Sequence, residues 1–251
     1  MDRDRLIESL DRLLGVGSIP DFGPQGLQVE GKQEVRKVCV GVTASAELFR
    51  RAVAANADLV ICHHGILWDS GAPVVRGSFK ERLALLLEHE ITLLCYHLVL
   101  DAHEEHGNNA LLARALALTD VEPFGVYRGV KIGRKGRFDP PIPRAQLAAR
   151  VAQACGGEPL VFAFGPDPVR TIGLITGGAV GDFSQAIAER LDAYVTGEVK
   201  EHVQELAREE QVTYVAAGHY RTETFGVRSL GEWITREFGI PCEFLDVPNP
   251  V

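Results

Sequence analysis

No apolar stretch in these 251 residues approaches the roughly 18 that a transmembrane helix needs, so no helical membrane span is expected. Basic charge is not in excess either: 26 Lys and Arg against 34 Asp and Glu give a formal net charge of −8. That balance argues against a generic nucleic-acid or anionic-membrane surface, because such affinity comes mostly from Lys and Arg neutralising phosphate. The start, Met-Asp-Arg-Asp-Arg, has nothing of a signal peptide; it alternates charge and then opens an amphipathic helix with Leu6, Leu10, Leu13 and Leu14 on one face. Cysteine is sparse, five in number and without C-x-x-C spacing. Cys39, Cys62 and Cys95 lie inside apolar runs and read as reduced core residues of a cytoplasmic protein rather than as ligands or disulfides.

What the chain does have is an ordinary globular composition, 46% hydrophobic and 24% charged, and length enough for two compact domains whose cores need no disulfides. Its organisation is a duplication. Gly26-Leu-Gln-Val-Glu through Val40-Gly-Val-Thr43, and Pro159-Leu-Val-Phe-Ala-Phe through Gly173-Leu-Ile-Thr176, share one pattern: a short strand, a turn, and a second apolar strand closing on threonine. An amphipathic helix follows each, carrying Ala46, Leu48, Phe49, Ala52 and Val53 in the first half and Phe183, Ile187, Ala188 and Leu191 in the second. Each helix returns through an aspartate, Asp58 or Asp192, into another buried strand. A repeat this long is a domain duplication, and strands alternating with helices imply an α/β fold: two similar α/β domains, each a mixed sheet flanked by helices. Apolar periodicity breaks at 123–136, which sets the expected division at 1–125 and 126–251, the C-terminal segment being able to pack back on the first domain.

Three apolar runs end on histidine. Ala57-Asp-Leu-Val-Ile-Cys62 leads into His63-His64; the run 91–96 leads into His97, with Asp101 four residues on; the run 212–218 leads into His219, with Glu223 four residues on. C-terminal strand ends are where open α/β sheets bind ligands. Imidazoles and carboxylates gathered there have the composition of a di-metal hydrolytic site. Successive residues of a strand face opposite ways, so His63 and His64 serve one site only if the strand has ended and the backbone turns there, a turn that Gly65 makes cheap.

Gly26-Leu-Gln-Val, Ile61-Cys-His-His-Gly-Ile-Leu-Trp68, His97-x-x-x-Asp101, Val195-Thr-Gly-Glu198 and Gly218-His-Tyr-x-Thr-Glu223 occur in the order found in the GTP cyclohydrolase type-two homologues, the NGG-one interacting factor three-like proteins. The chain resembles that family over essentially its whole length. The resemblance implies two similar α/β domains, a dinuclear metal centre in the cleft between them, and toroidal homohexamers. Carried over position by position, it implies His63, His64, Asp101, His219 and Glu223 as ligands of two divalent ions per chain, zinc, iron or manganese. The chain departs from the pattern at Gly65, where relatives often have proline, and at Ala102-His-Glu-Glu-His-Gly107, which is more charged than the usual Gly-rich turn. Neither departure removes a ligand; both bear on substrate choice.

Plainer readings stand beside these. A lone histidine at a strand end is more often a hydrogen-bonded core or surface residue than a ligand. His97 is open between a third-strand ligand and a group that orients Asp101 or a substrate. Glu198 is open between holding a ligand imidazole, acting as general base, and capping a helix that begins at Val199. His89, His103, His106 and His202 read as solvated surface, Trp68 as core packing or a stacking platform, and Thr176-Gly177-Gly178 as a weak phosphate-cradle signal. The expected function is a metal-dependent hydrolase in which a hydroxide bridging two ions attacks a nucleotide, phosphoester or cyclic amide, with Glu198 and His97 as candidate catalytic residues. The alternatives are a metal chaperone or store without turnover and a ring-shaped regulatory scaffold. Expected partners are copies of the chain itself and a small-molecule substrate, with no membrane and no generic nucleic acid.

Overall fold

A computed structural model describes residues 1–70 and 74–251. Its strands are β1 (Gly26–Val29), β2 (Val38–Thr43), β3 (Leu59–His64), β4 (Thr92–Cys95), β5 (Thr119–Tyr127), β6 (Val130–Ile142), β7 (Leu160–Ala163), β8 (Val169–Leu174), β9 (Ala193–Thr196), β10 (Thr213–Ala216) and β11 (Cys242–Phe244). Among the described residues they form two mixed sheets flanked by helices, in the orders β1-β4-β3-β2-β11 and β5-β6-β8-β9-β10-β7. In the first, β2, β3 and β4 run parallel and β1 lies antiparallel on β4. In the second, β8, β9 and β10 run parallel and β7 lies antiparallel on β10. The arrangements β1-β4-β3-β2 and β7-β10-β9-β8 are thus the same, and the duplication read from the sequence is a duplication of topology. The flank differs: β11 joins β2 in parallel, whereas β6 joins β8 antiparallel and carries β5.

The repeat extends to single hydrogen bonds. Thr92 and Thr213 open β4 and β10, and their hydroxyls accept from the backbone N–H of Gly31 at 3.1 Å and of Gly165 at 3.2 Å. Asp58 accepts from the N–H groups of Arg36 and Lys37, and Asp192 from those of Arg170 and Thr171. An aspartate at the mouth of each apolar run therefore ties down two successive backbone donors at the start of the neighbouring strand.

β2, β3, β4, β9 and β10 are buried almost throughout. Parallel strands covered on both faces have no solvent side to alternate with, which is why they read as continuous apolar runs. Helix Ala46–Ala54, capped by Ser45 Oγ accepting from the Leu48 N–H at 3.1 Å, sets Leu48, Phe49 and Ala52 into a core with Cys39, Val60 and Leu93. Helices Asn108–Ala115 and Arg144–Cys155 bring Leu112, Leu147 and Val151 against Ile172, Leu174, Val195 and Val215. Ala188, expected on a buried face, is exposed: helix Phe183–Ala188 is short, follows a tight turn at Val180–Asp182, and directs Phe183 and Ala186 inward.

The chain groups into two compact units, Met1–Leu100 with Gly226–Pro248, and Asp101–Phe225 with Asn249–Val251. Residues 123–136, where the apolar periodicity breaks, lie in the arms of the β5–β6 hairpin. Tyr127 pairs with Val130, and Arg128 and Gly129 between them have φ of 47° and 85°, the left-handed pair that a two-residue hairpin turn requires. No helix among the described residues is long and apolar enough to cross a membrane.

Candidate metal centre

In the first unit β3 runs through both histidines. His64 pairs with Thr43 of β2, while the ladder to β4 stops at Cys62 and Cys95. The two histidines are the last residues of β3, beyond the final rung shared with β4, and the strand ends at them, before Gly65. His63 is fully buried and His64 half-buried, yet their ring centroids are 4.8 Å apart. Gly65 is also needed for a different reason than a turn. Gln28 of β1 accepts from the N–H groups of Ile66 and Leu67 at 2.8 and 3.2 Å, and a Cβ at Gly65 would collide with that amide.

His97, two residues past β4, joins them, its ring centroid 5.0 Å from that of His63 and 5.5 Å from that of His64. One ring nitrogen of each of the three lies within 4.8 Å of the other two. Trp68 is half-buried and meets His97 edge-on at 5.4 Å, with its Nε1 donating to the Gly65 carbonyl at 3.1 Å. It packs against the imidazoles rather than in the general core. His63 Nδ1 faces the Tyr96 carbonyl oxygen at 2.9 Å. A carbonyl can only accept, so Nδ1 is the donor and Nε2 is the ring nitrogen that an ion would meet.

Asp21 was not legible as a site residue. Its Oδ1 lies 2.7 Å from His97 Nδ1, and its Oδ2 accepts from the Leu98 N–H at 3.0 Å. Burial works against its charge, but His97 and the backbone N–H groups of Leu98 and Phe22 hold its carboxyl below the usual range. It stands in Ile19-Pro-Asp-Phe-Gly-Pro24, a loop with no periodicity to mark it, where the one available signal was a carboxylate beside an aromatic residue.

In the second unit the short helix His219–Thr222 puts His219 and the following Glu223 at the i, i+4 spacing that shares a face, with Nε2 and Oε2 3.1 Å apart. His219 Nδ1 faces Glu198 Oε1 at 2.6 Å, and the Tyr214 hydroxyl holds the Glu198 backbone by donating to its carbonyl at 2.7 Å. Burial opposes a charge on His219, but Glu223 and Glu198 outweigh it and raise its pKa to about 9. An ion bound by this ring would have to displace a proton. Glu198 caps no helix; the next helix begins at Val203, not Val199.

Asp101 is buried, and its Oδ1 accepts from Asn108 Nδ2 at 2.9 Å and Thr176 Oγ1 at 3.3 Å. Asn109 bonds the Asp101 carbonyl at 3.2 Å and accepts from the Thr176 N–H at 2.8 Å. A carboxylate oxygen of Asp101 lies within 4.8 Å of one of Glu223. Thr176 and Gly177 thus support the two acids: Gly177 has φ of 71°, and a Cβ there would collide with the Glu223 carboxylate. Sequence reasoning passed over Asn108 and Asn109, both fully buried; consecutive asparagines directly after the charged turn were the signal.

His106, expected at the surface, is 5% exposed and stacked on His103 with centroids 5.3 Å apart. His103 Nδ1 accepts from the N–H groups of Glu105 and His106, which folds this charged turn back on itself. His89 and His202 are exposed.

The donors fit divalent ions. Imidazole nitrogen and carboxylate oxygen are the ligand set of hydrolytic zinc, iron and manganese sites. His63, His97 and His219 each turn Nδ1 toward an oxygen, the arrangement by which metal-ligating histidines are oriented.

The family model described as Duf34/NIF3 (NGG1p interacting factor 3) matches residues 1–250. A Pseudomonas aeruginosa protein named GTP cyclohydrolase 1 type 2 homolog is 44% identical over 245 residues, covering 98% of this chain and 97% of its own length. An Escherichia coli protein of the same name is 39% identical over 254 residues and covered completely, as is this chain. Among solved structures, the structural-genomics protein ybgI, described as of unknown function, matches with a TM-score of 0.93 at 38% identity over 100% of both chains. A Thermus thermophilus protein matches with a TM-score of 0.89 at 42% identity, again over 100% of both.

Proposed function

This chain belongs to the Duf34/NIF3 family, and from that premise we propose that it is a dinuclear divalent-metal hydrolase acting on a nucleotide, a phosphoester or a cyclic amide. The ligands of the two ions, zinc, iron or manganese, would be His63, His64, Asp101, His219 and Glu223. The observation that carries the reading is the donor chemistry: one buried and two half-buried imidazoles in one unit, and in the other two buried carboxylates beside an imidazole. Five ligands for two ions leave coordination positions open, as a catalytic site requires. Bound ions would activate water near neutral pH and polarise the scissile bond.

The chain's own residues do the rest. Asn108 and Thr176 fix the Asp101 carboxylate, and Glu198 fixes the ring of His219. The Glu198 side chain is 35% exposed, so it can also take a proton from a reacting group. The name shared by the relatives, GTP cyclohydrolase 1 type 2 homolog, points to a guanine nucleotide as one member of the substrate class. The working form would be a homohexamer in the cytoplasm, a compartment that suits five free thiols.

The test is a hydrolysis panel of nucleotides, phosphoesters and cyclic amides with protein loaded in turn with each ion. Turnover of one class that disappears with the ions is expected. Fully loaded protein that turns over none of them, yet passes its ions rapidly to an apo-acceptor, would move the reading to metal delivery.

A further inference from the structure

We infer that His97 is a further metal-binding imidazole of this chain and that Asp21 is the residue that positions it. The inference rests on the metal reading above and extends it to an imidazole beyond the five ligands proposed. Everything it needs lies within one compact unit. The nitrogens of His63, His64 and His97 lie within 4.8 Å of one another. Two imidazoles on one ion, with bonds of about 2.0–2.1 Å, stand at most about 4.2 Å apart. Small side-chain rotations therefore suffice to bring the three rings onto one ion or onto a close pair.

The orientation of the His97 ring is the one that ligation needs. Asp21 Oδ1, at 2.7 Å, is a carboxylate oxygen and accepts, so Nδ1 is the donor and Nε2 is the ring nitrogen left to meet an ion. His63 reaches the same orientation through the Tyr96 carbonyl, and His219 is oriented at Nδ1 by Glu198. His97 is thus a third strand-end histidine fitted with the partner that orients a ligand and raises its basicity.

The partner is itself held. The Asp21 side chain is 3% exposed, its second oxygen accepts from the Leu98 N–H, and Gln25 Oε1 accepts from the His97 N–H at 3.3 Å. Burying a carboxylate beside an imidazole carries a desolvation cost that an apolar pair of similar volume avoids. Packing against Trp68 alone would need neither Asp21 nor its charge. An ion in front of the ring uses both, since Asp21 then offsets part of the cationic charge through the imidazole.

The test loads the full chain with zinc alone, after purification without chelator or metal-affinity resin. It measures affinity against a competing chelator and counts imidazoles on the metal by X-ray absorption. The variants are His97→Gln, Asp21→Asn and His63→Gln, with His202→Gln as the exposed control. His97→Gln should lower the imidazole count and weaken one ion by at least about tenfold; Asp21→Asn should weaken the same ion by about 10–100-fold while keeping the count. Asp21→Asn preserves shape, so it reports even if His97→Gln does not fold. Wild-type affinity and count in His97→Gln, beside loss of an ion in His63→Gln, would overturn the role of His97 and leave the metal reading standing. A wild-type chain that takes up no zinc, or a His63→Gln variant equal to it, would overturn both.

Discussion

Glu198 Oε1 lies 2.6 Å from His219 Nδ1. On the other side of the same ring, Nε2 faces Glu223 Oε2 at 3.1 Å, so one imidazole stands between two carboxylates of unequal burial, side chains 35% and 4% exposed. The buried acid is suited to face an ion, and the more exposed one to orient the ring or exchange a proton.

Glu223→Gln should therefore lower metal content toward one ion per chain. Glu198→Gln, whose amide oxygen can still accept from Nδ1, should keep both ions and slow turnover. Elemental analysis beside a rate measurement separates them. Equal metal loss in the two variants would remove Glu198 from any general-base role.

Gly177→Ala should cost about 1–2 kcal/mol from its left-handed backbone alone, with weakened metal uptake as well because the new methyl group meets Glu223. Gly181→Ala is the control, having open space around it. Denaturant titration and zinc affinity check both effects; Gly177→Ala with wild-type affinity would mean that Glu223 is not held where ligation needs it.

Burial pushes the thiol of Cys39 up to about 11 and those of Cys95, Cys155 and Cys242 to about 12, and raises that of Cys62 as well. At pH 8 the folded protein should react slowly with an aromatic disulfide reagent, Cys242 first because it is half-buried, and all five thiols should react on unfolding. The sign for stability follows. Unfolded thiols ionise near about pH 8.5 while the folded ones stay protonated, so stability is retained below that pH and lost as pH rises above it. Fast labelling of the folded chain at pH 8 would contradict the buried placement.

Light scattering should give six copies at micromolar concentration, and His219→Ala should assemble as the wild type does. A monomeric wild type would contradict the proposed ring. Binding to duplex DNA should be weak at physiological salt and fall as salt rises, given a formal net charge of −8.

The sequence made the central strands and their histidines legible for one physical reason. A strand buried on both faces is a continuous apolar run, and polar residues at its end mark the C-terminal edge of the sheet, the edge at which open α/β sheets bind ligands. Asp58 and Asp192 were legible in the same way, as the polar start of each run. Asp21, Asn108 and Asn109 were not, because their roles come from loops and helix starts that fold onto His97 and Asp101 and leave no period in the sequence. His106 was misread because its neighbours are charged, although the turn buries it. Residues 123–136 show no long apolar run because their buried positions, 124–125 and 132–134, are short and separated by the turn of the hairpin. The continuation of β3 through His64 depends on pairing with β2, which a single strand's sequence does not display.

The metal content of wild-type protein, purified without chelator or metal-affinity resin and measured by elemental analysis, bears most directly on the dinuclear centre. About two equivalents of zinc, iron or manganese per chain are expected, falling in His63→Gln and Glu223→Gln and unchanged in His202→Gln. Protein that arrives without metal and takes up none when zinc, iron or manganese is supplied would contradict the centre outright.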